Sequence, residues 1–347
     1  MDSDVTNEEQ AHEPVLLKEV LEWLRPQEGG IFVDCTLGLG GHSEAILNAS
    51  PETKVIGIDR DRQALALAEK RLSIFENRFQ TVHANFTELA EALRRSGIAE
   101  VHGVLADLGV SSLQLDRGER GFSFTSEAPL DMRMDQSEAE TAADLVNRLE
   151  ERDLADLIFE FGEERGARKI ARAIVRERER NPITTTRQLA DIVVRALNIP
   201  GRWRIHPATR TFQALRIAVN QELEGLETFI PQAVESLAQG GRLAIISFHS
   251  LEDRIVKHGF QRESGRCICA SRIRGDKAVE RQRARIRLES IRHAAREENT
   301  PGGIVCSECG ARNRVRVLTR KPLRPGDDEV KRNPRSRSAL LRVCERL

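Results

Sequence analysis

The stretch from Ile31 to Asp61, IFVDCTLGLGGHSEAILNASPETKVIGIDRD, restricts the possible folds more than any other part of the chain. Two short apolar runs, Ile31 to Val33 and Val55 to Ile58, enclose a glycine-dense turn and a segment from His42 to Leu47. That intervening segment is too long for a hairpin. The two runs therefore predict buried parallel strands joined by a right-handed crossover helix. Gly38, Gly40 and Gly41 allow a sharp bend and a close approach of backbone to ligand, with no Cβ in the way. Asp59 ends the second strand, where ribose hydroxyls lie in nucleotide-binding sheets.

Two cofactor classes use this geometry. A dinucleotide site follows G-x-G-x-x-G/A and sets a pyrophosphate on the helix N-terminus. Counted from Gly38, the third glycine position holds Ser43, and Asp34 ends the first strand, where its charge would repel a pyrophosphate. A carboxylate there suits a cationic ligand. S-adenosylmethionine carries an ammonium and a sulfonium near such a loop, so the reading favours a methyl donor over NAD.

At 347 residues the chain can hold one doubly wound domain with an insertion. The N-terminal stretch is acidic and polar, and no apolar run approaches the ~20 residues of a membrane span, so a cytoplasmic protein with no membrane partner is expected. Cys35, the Cys267/Cys269 and Cys306/Cys309 pairs and Cys344 do not form a disulfide-framework pattern. The 54 basic and 54 acidic residues cancel overall, but acids dominate before residue 250 and bases after it. The C-terminal part, with its arginines from Arg272 to Arg296, can thus attract phosphates although the whole chain is neutral, or can simply form solvated helices.

Further strands are predicted at Phe79 to His83, at Gly103 to Ala106 ending in Asp107, and at Leu243 to Ser247 after the QGG turn. Arg314 to Leu318 and Leu340 to Cys344 alternate polar and apolar residues and predict a closing pair. Ligands bind outside the carboxyl ends of such strands, so Asp34, Asp59 and Asp107 fall on one rim. From about Glu119 the pattern turns helical. Stripes at Leu154/Leu157/Ile158/Phe161, Ile170/Ala173/Ile174 and Leu189/Ile192/Val193/Ala196/Leu197 predict a small bundle over 119–206, inserted between 1–118 and 207–347. Residues 267–312 read as a cysteine-paired excursion within the second of those parts.

Eight motifs carry a resemblance: HEPVLLKEVLEWL at His12, DCTLGLGGHS at Asp34, DLGVSSLQLD at Asp107, RGFSF at Arg120, PLDMRMD at Pro129, HPATRTFQALRIAVN at His206, SFHSLEDRIVK at Ser247 and NPRSRSALLRV at Asn333. Together, in order and over nearly the whole chain, they resemble the RsmH (MraW) family. The resemblance implies a class I, Rossmann-like methyltransferase fold with a seven-stranded, mostly parallel sheet. It also implies methyl transfer from S-adenosylmethionine to the 4-amino group of a cytosine in the decoding region of 16S ribosomal RNA, with the small ribosomal subunit as partner. By the same resemblance Gly40, Gly41, His42, Asp59, Phe86, Asp107 and Gln114 contact the donor.

A cytosine amine is a poor nucleophile because its lone pair is delocalised, so acceptors at its hydrogens and an in-line methyl about 3–3.5 Å away carry the chemistry. Asp107 is the first candidate acceptor, and His249 the second candidate at the base or its phosphate. Nitrogen methyltransferases often place Pro-Pro and an aromatic after that acid, whereas this chain has Leu108, Gly109 and Val110. Stacking of an extruded base then falls to Phe122, Phe124 or Phe248. On the helix after Pro207, Arg216 and Glu224 read as surface residues. The cysteine pairs can supply thiolates to zinc or remain reduced thiols, and no metal is assigned to them. Another RNA base or a protein acceptor, or a noncatalytic ribosome-assembly role, are the competing readings.

Overall fold

The computed structural model describes residues 14–125, 127–198, 203, 205–269 and 309–347. His12, Cys306 and the arginines from Arg272 to Arg296 lie outside the described residues.

Seven strands form one sheet: β1 (Gly30–Asp34), β2 (Thr53–Asp59), β3 (Phe79–His83), β4 (Val101–Asp107), β5 (Leu237–Ser247), β6 (Val315–Val317) and β7 (Leu340–Arg346). Their order across the sheet is β3-β2-β1-β4-β5-β7-β6. The first five strands run parallel, and β7 lies antiparallel between β5 and β6. This is the Rossmann-like, mostly parallel methyltransferase sheet that the motifs imply.

Alternation along the strands explains the layering. Phe32, Val55, Leu105, Ala244 and Ile246 turn to one face, where α1 (Leu17–Leu24) and α2 (Gly41–Asn48) cover them with Val20, Leu24, Ile46 and Leu47. Their chain neighbours Val33, Ile56, Val104 and Ile245 turn to the other. There α4 (Leu89–Arg95), α11 (Glu222–Ser236) and α12 (Ser250–Glu263) add Leu93, Phe229, Ile230 and Phe260. Burial on both faces is why the central strands read as unbroken apolar runs. Beside β2, α3 (Arg62–Leu72) packs Leu65 and Ala68 against Leu37.

A second core is built mainly of helices. The predicted stripes pack together through α7 (Glu151–Gly162), α8 (Ala167–Arg178) and α9 (Thr186–Leu197), with Leu154, Ile158, Ile170, Ile174, Leu189 and Val193 buried. Two further helices join them, α6 (Ala142–Arg148) and α10 (Thr209–Asn220), which brings in Phe212, Leu215 and Val219. Between Gly121 and Thr141 the described residues form turns and a bridge from Pro129 to Thr185 rather than helix.

Two local differences from the periodicity matter at the site. The stripe Phe212, Leu215, Val219 and Leu223 predicts one helix, but Gln221 adopts a left-handed φ of 50°, so α10 ends and α11 begins there. Pro231 predicts a stop before the sheet resumes. It sits instead inside α11, and β5 starts earlier than expected, at Leu237.

Candidate active site

A cavity of about 360 Å³ opens at the carboxyl ends of β1, β2, β4 and β5. That is enough room for a nucleoside-sized ligand, since such sites measure roughly 300–1,000 Å³. Its floor is the bend between β1 and α2. Gly38 and Gly40 take left-handed φ values of 53° and 78°, and Gly40 N–H closes the turn on Leu37 O at 2.8 Å. A Cβ on Gly40 would meet Leu72 Cδ1 at 2.8 Å, and one on Gly41 would meet Pro14 Cγ at 2.6 Å. Gly38, Leu39, Gly41 and His42 line the wall, while Gly40 stands behind it. Pro14 and Val15 line the same wall, a contribution of the N-terminal motif that composition does not reveal.

Asp59 faces this bend. Its two carboxylate oxygens accept from Gly38 N–H at 2.7 Å and Asp61 N–H at 2.8 Å. Loss of water pushes it up from 3.8 to about 6, with the two amides opposing the shift and the charges of Asp61 and Asp34 adding to it. Phe86 lines the cavity nearby and meets Phe229 edge-on, ring centroids 5.3 Å apart.

Asp34 departs from expectation. The sequence places it on the rim as a partner for a cation, but it is 1% exposed and lies beneath the bend. Ser43 Oγ–H donates to it at 2.8 Å and Thr36 N–H at 3.3 Å. Burial raises its pKa, with His42, Ser43 and Thr36 pulling the other way. Ser43, which interrupts the dinucleotide pattern, is thus the residue that anchors a buried acid under the loop.

Of the three acids predicted on the rim, Asp59 and Asp107 reach the cavity. Asp107 N–H donates to Thr36 Oγ1 at 2.6 Å, which fixes the end of β4 against the bend. Its Oδ2 lies 3.7 Å from His42 Nε2, beyond hydrogen-bond range. Asp107 Oδ1 and both ring nitrogens of His42 are buried without a hydrogen-bond partner. A buried polar atom left unpaired costs about 1–3 kcal/mol. Such atoms gathered on a cavity wall are what a polar ligand would satisfy.

Gln114 also lines the cavity, but its amide is already engaged. Its Oε1 accepts from Ser111 N–H at 3.1 Å in a reciprocal cap of α5 (Ser112–Asp116), and its Nε2 donates to Asp61 Oδ2 at 3.2 Å. The same Asp61 oxygen accepts from Arg120 Nη1 at 2.8 Å. Arg120, 1% exposed, reaches on to the carbonyls of Arg133 and Met134 and so ties the sheet edge to the turn region ahead of α6. Neither Asp61 nor Arg120 was singled out from sequence. Asp61 carried a signal, because an Asp just before a helical run is an N-cap, and it caps α3 through Gln63 N–H.

The opposite wall is built of paired charges. Arg216, read as a surface residue, lines the cavity and makes a two-pronged contact with Glu222, both distances 2.8 Å. The left-handed Gln221 turns Glu222 back toward it. Glu252 accepts from Phe248 N–H at 2.8 Å. Burial opposes its charge, yet His249 and Arg216 outweigh burial and hold it below the usual carboxylate range. His249 caps α12: Nδ1 accepts Glu252 N–H at 3.4 Å, and Nε2 lies 3.1 Å from Glu252 Oε1. The wall is formed by its neighbours Phe248 and Glu252 rather than by His249. Glu222, His249 and Glu252 offer atoms within 4.8 Å of one another, but the guanidinium of Arg216 already supplies the cation there.

Of the three aromatic candidates, Phe248 lines the cavity. Phe122 is buried in the helical core, and Phe124 stacks on His206 at 4.6 Å. Arg335 stands on the cavity wall and pairs with Asp116 at 2.5 Å. Among the described residues no helix is long and apolar enough to cross a membrane.

Known proteins resemble this chain over nearly its whole length. The model of the MraW methylase family matches residues 9–286 and 283–347. A protein of Geobacter sp. (strain M21) named ribosomal RNA small subunit methyltransferase H is 48% identical over 97% of this chain and 98% of its own length. The protein of that name from Geobacter sulfurreducens is 49% identical, covering 97% of this chain and 99% of that protein. The one from Thermomicrobium roseum is 48% identical, covering 97% and 94%.

Proposed function

Since the chain belongs to the MraW methylase family, we propose that it transfers a methyl group from S-adenosylmethionine to the exocyclic 4-amino nitrogen of a cytosine in the decoding region of 16S ribosomal RNA, within the small subunit and in the cytoplasm. The observation that carries this reading is one cavity holding the glycine bend, Asp59, and the unpartnered polar atoms of His42 and Asp107. When bound, the donor supplies an electrophilic methyl on a sulfonium.

The residues divide the work. Gly40 and Gly41 shape the bend, and Asp59 accepts from ribose hydroxyls while its two amide contacts keep it oriented. Phe86 gives adenine an apolar face. Gln114 holds Asp61 and the start of α5, which keeps the cavity wall in place. His42 bonds donor or base through ring nitrogens that the protein leaves unpaired.

Asp107 Oδ1 accepts a hydrogen of the cytosine amine. Held there, the amine lone pair would be drawn out of ring conjugation and aimed at the electrophilic methyl that the donor would supply. The amine proton then passes to Asp107 or to water. Phe248 stacks on the extruded base, and Arg216 and Glu222 close the far wall with their two charges matched. His249 acts from behind that wall by orienting Glu252 and Phe248. Water exclusion and alignment supply most of the rate, since the positive charge of the donor disperses in the transition state.

Transfer of labelled methyl groups to undermethylated small subunits, followed by digestion to nucleosides, tests the proposal. The label is expected in N4-methylcytidine. Label in another nucleoside or in ribosomal protein would replace the acceptor, and absence of transfer with intact donor binding would leave a binding protein.

A further inference from the structure

Cys267 and Cys269 follow the end of α12, and Cys309 precedes β6, yet the three thiols converge. Their sulfurs lie within 4.8 Å of one another, and Cys267 Sγ is 3.8 Å from Cys309 Sγ across 42 positions of sequence. We propose that Cys267, Cys269 and Cys309 bind a structural zinc ion, which clamps the two chain segments that flank residues 270–308.

The distance discriminates between the chemistries open to paired thiols. A disulfide requires sulfurs about 2.05 Å apart. A tetrahedral zinc with bonds of about 2.3 Å sets neighbouring sulfurs about 3.8 Å apart, the edge of that tetrahedron. The Cys267–Cys309 spacing excludes the first and equals the second, as it also equals the contact of two reduced thiols; the convergence of the third sulfur within 4.8 Å of both favours the metal. The charged stretch between the cysteine pairs is longer than in common zinc ribbons, which speaks against a metal on sequence grounds. The fold removes that objection, because the base of the excursion is closed independently of its length.

Four contacts make this closure. Arg312 N–H donates to Arg262 O at 2.8 Å and Arg314 N–H to Glu263 O at 2.7 Å. Ser264 and Asn313 form an antiparallel bridge, and the Arg314 guanidinium pairs with Glu263 at 2.7 Å. The cysteines stand just beyond this neck. Gly310, directly after Cys309, has a left-handed φ of 67°, a backbone state that glycine adopts without a Cβ penalty. Two segments held in register and ending in three adjacent thiols are preorganised for a thiophilic cation. Each thiol would bind as thiolate and release its proton to solvent. All three thiols are soft ligands suited to zinc, and they are a separate set from the cavity residues.

The test uses the full chain, purified under reducing conditions without chelator. Elemental analysis should find one zinc per chain, reduced to background in Cys267→Ser and in Cys309→Ser. The unaltered protein exchanged with cobalt should show the sulfur-to-cobalt charge-transfer band and the intense visible bands of tetrahedral thiolate coordination. Zinc should also protect Cys267, Cys269 and Cys309 from alkylation, read by peptide mass. The last two readouts need no variant, so a misfolded substitution cannot obscure the answer. A reduced protein that takes up neither zinc nor cobalt, a cobalt spectrum without thiolate bands, or a Cys267–Cys309 disulfide in the peptide map would overturn the proposal.

Discussion

The two walls of the cavity handle charge in opposite ways. On the glycine-bend side, Asp107 Oδ1 and the His42 ring nitrogens are buried without partners, and Asp59 is held at about 6 by loss of water. On the helical side almost every charge is matched: Arg216 with Glu222, Arg120 with Asp61, Arg60 with Glu138. Even the amide of Asn220 is consumed, accepting from Met134 N–H and donating to the carbonyls of Met132 and Arg216. The first wall leaves an acid oxygen and both imidazole nitrogens unmet; the second also leaves Arg60 Nε, Arg120 Nε and His249 Nε2 unbonded, but each of those side chains is held through another of its atoms. Substitutions on the first should change binding and turnover at little cost in stability. Those on the second should do the reverse.

The largest effect is expected at Asp107. Asp107→Asn keeps the volume but exchanges an acceptor for a donor, and loss of an acceptor at a reacting proton lowers rates by about 10²–10⁴. Single-turnover methyl transfer should fall by that factor while calorimetric donor affinity changes less than about threefold. Equal losses in both would move Asp107 from the amine to the donor. Behind the cavity, Arg120→Met leaves Asp61 buried with only Gln114 and the Gln63 amide for company. Removing one member of a buried ion pair costs about 3–5 kcal/mol, so urea unfolding should shift by that amount. A shift under about 1 kcal/mol would mean the pair is solvated in solution, as exposed pairs are.

How far the sequence reaches also differs between the walls. Strand, glycine bend, helix and terminal acid are local patterns, so the glycine bend, Asp59 and Asp107 on one rim were readable from spacing, whereas His42 came from the family resemblance. Asp34 shows the limit of that logic. Spacing puts it at the strand end, but only the hydrogen bond from Ser43 reveals that it turns under the loop instead of into the cavity. The helical wall was barely legible. An arginine in a helix carries no mark of burial, and Arg216 meets Glu222 only because Gln221 takes a left-handed conformation with neither glycine nor asparagine to announce it. Arg120 joins Asp61 across 59 positions, a separation that no periodicity encodes.

Asp59→Ala should cost the donor site a hydrogen-bonded charge, about 1.5–3 kcal/mol or roughly 10-fold to 100-fold in affinity, measured by titration calorimetry. Unchanged affinity would remove Asp59 from the ribose site.

The smallest effect is one of pH, and its sign follows from the raised pKa of the same residue. Below about 6 Asp59 is protonated in the folded protein and is a poor acceptor; above it the carboxylate is charged. Donor affinity should therefore climb about tenfold between roughly pH 5 and 7, the change in charged fraction for a group titrating at the midpoint. Stability without donor runs the other way. Between 3.8 and about 6 the folded protein holds a proton that the unfolded chain has lost, so this contribution falls as pH rises through that window. Asp59→Asn removes the titrating group and should flatten both slopes. If Asp34, also raised by burial, governs the window instead, the slopes will survive Asp59→Asn and disappear in Asp34→Asn, shifting control of donor binding from the cavity wall to the acid beneath the loop.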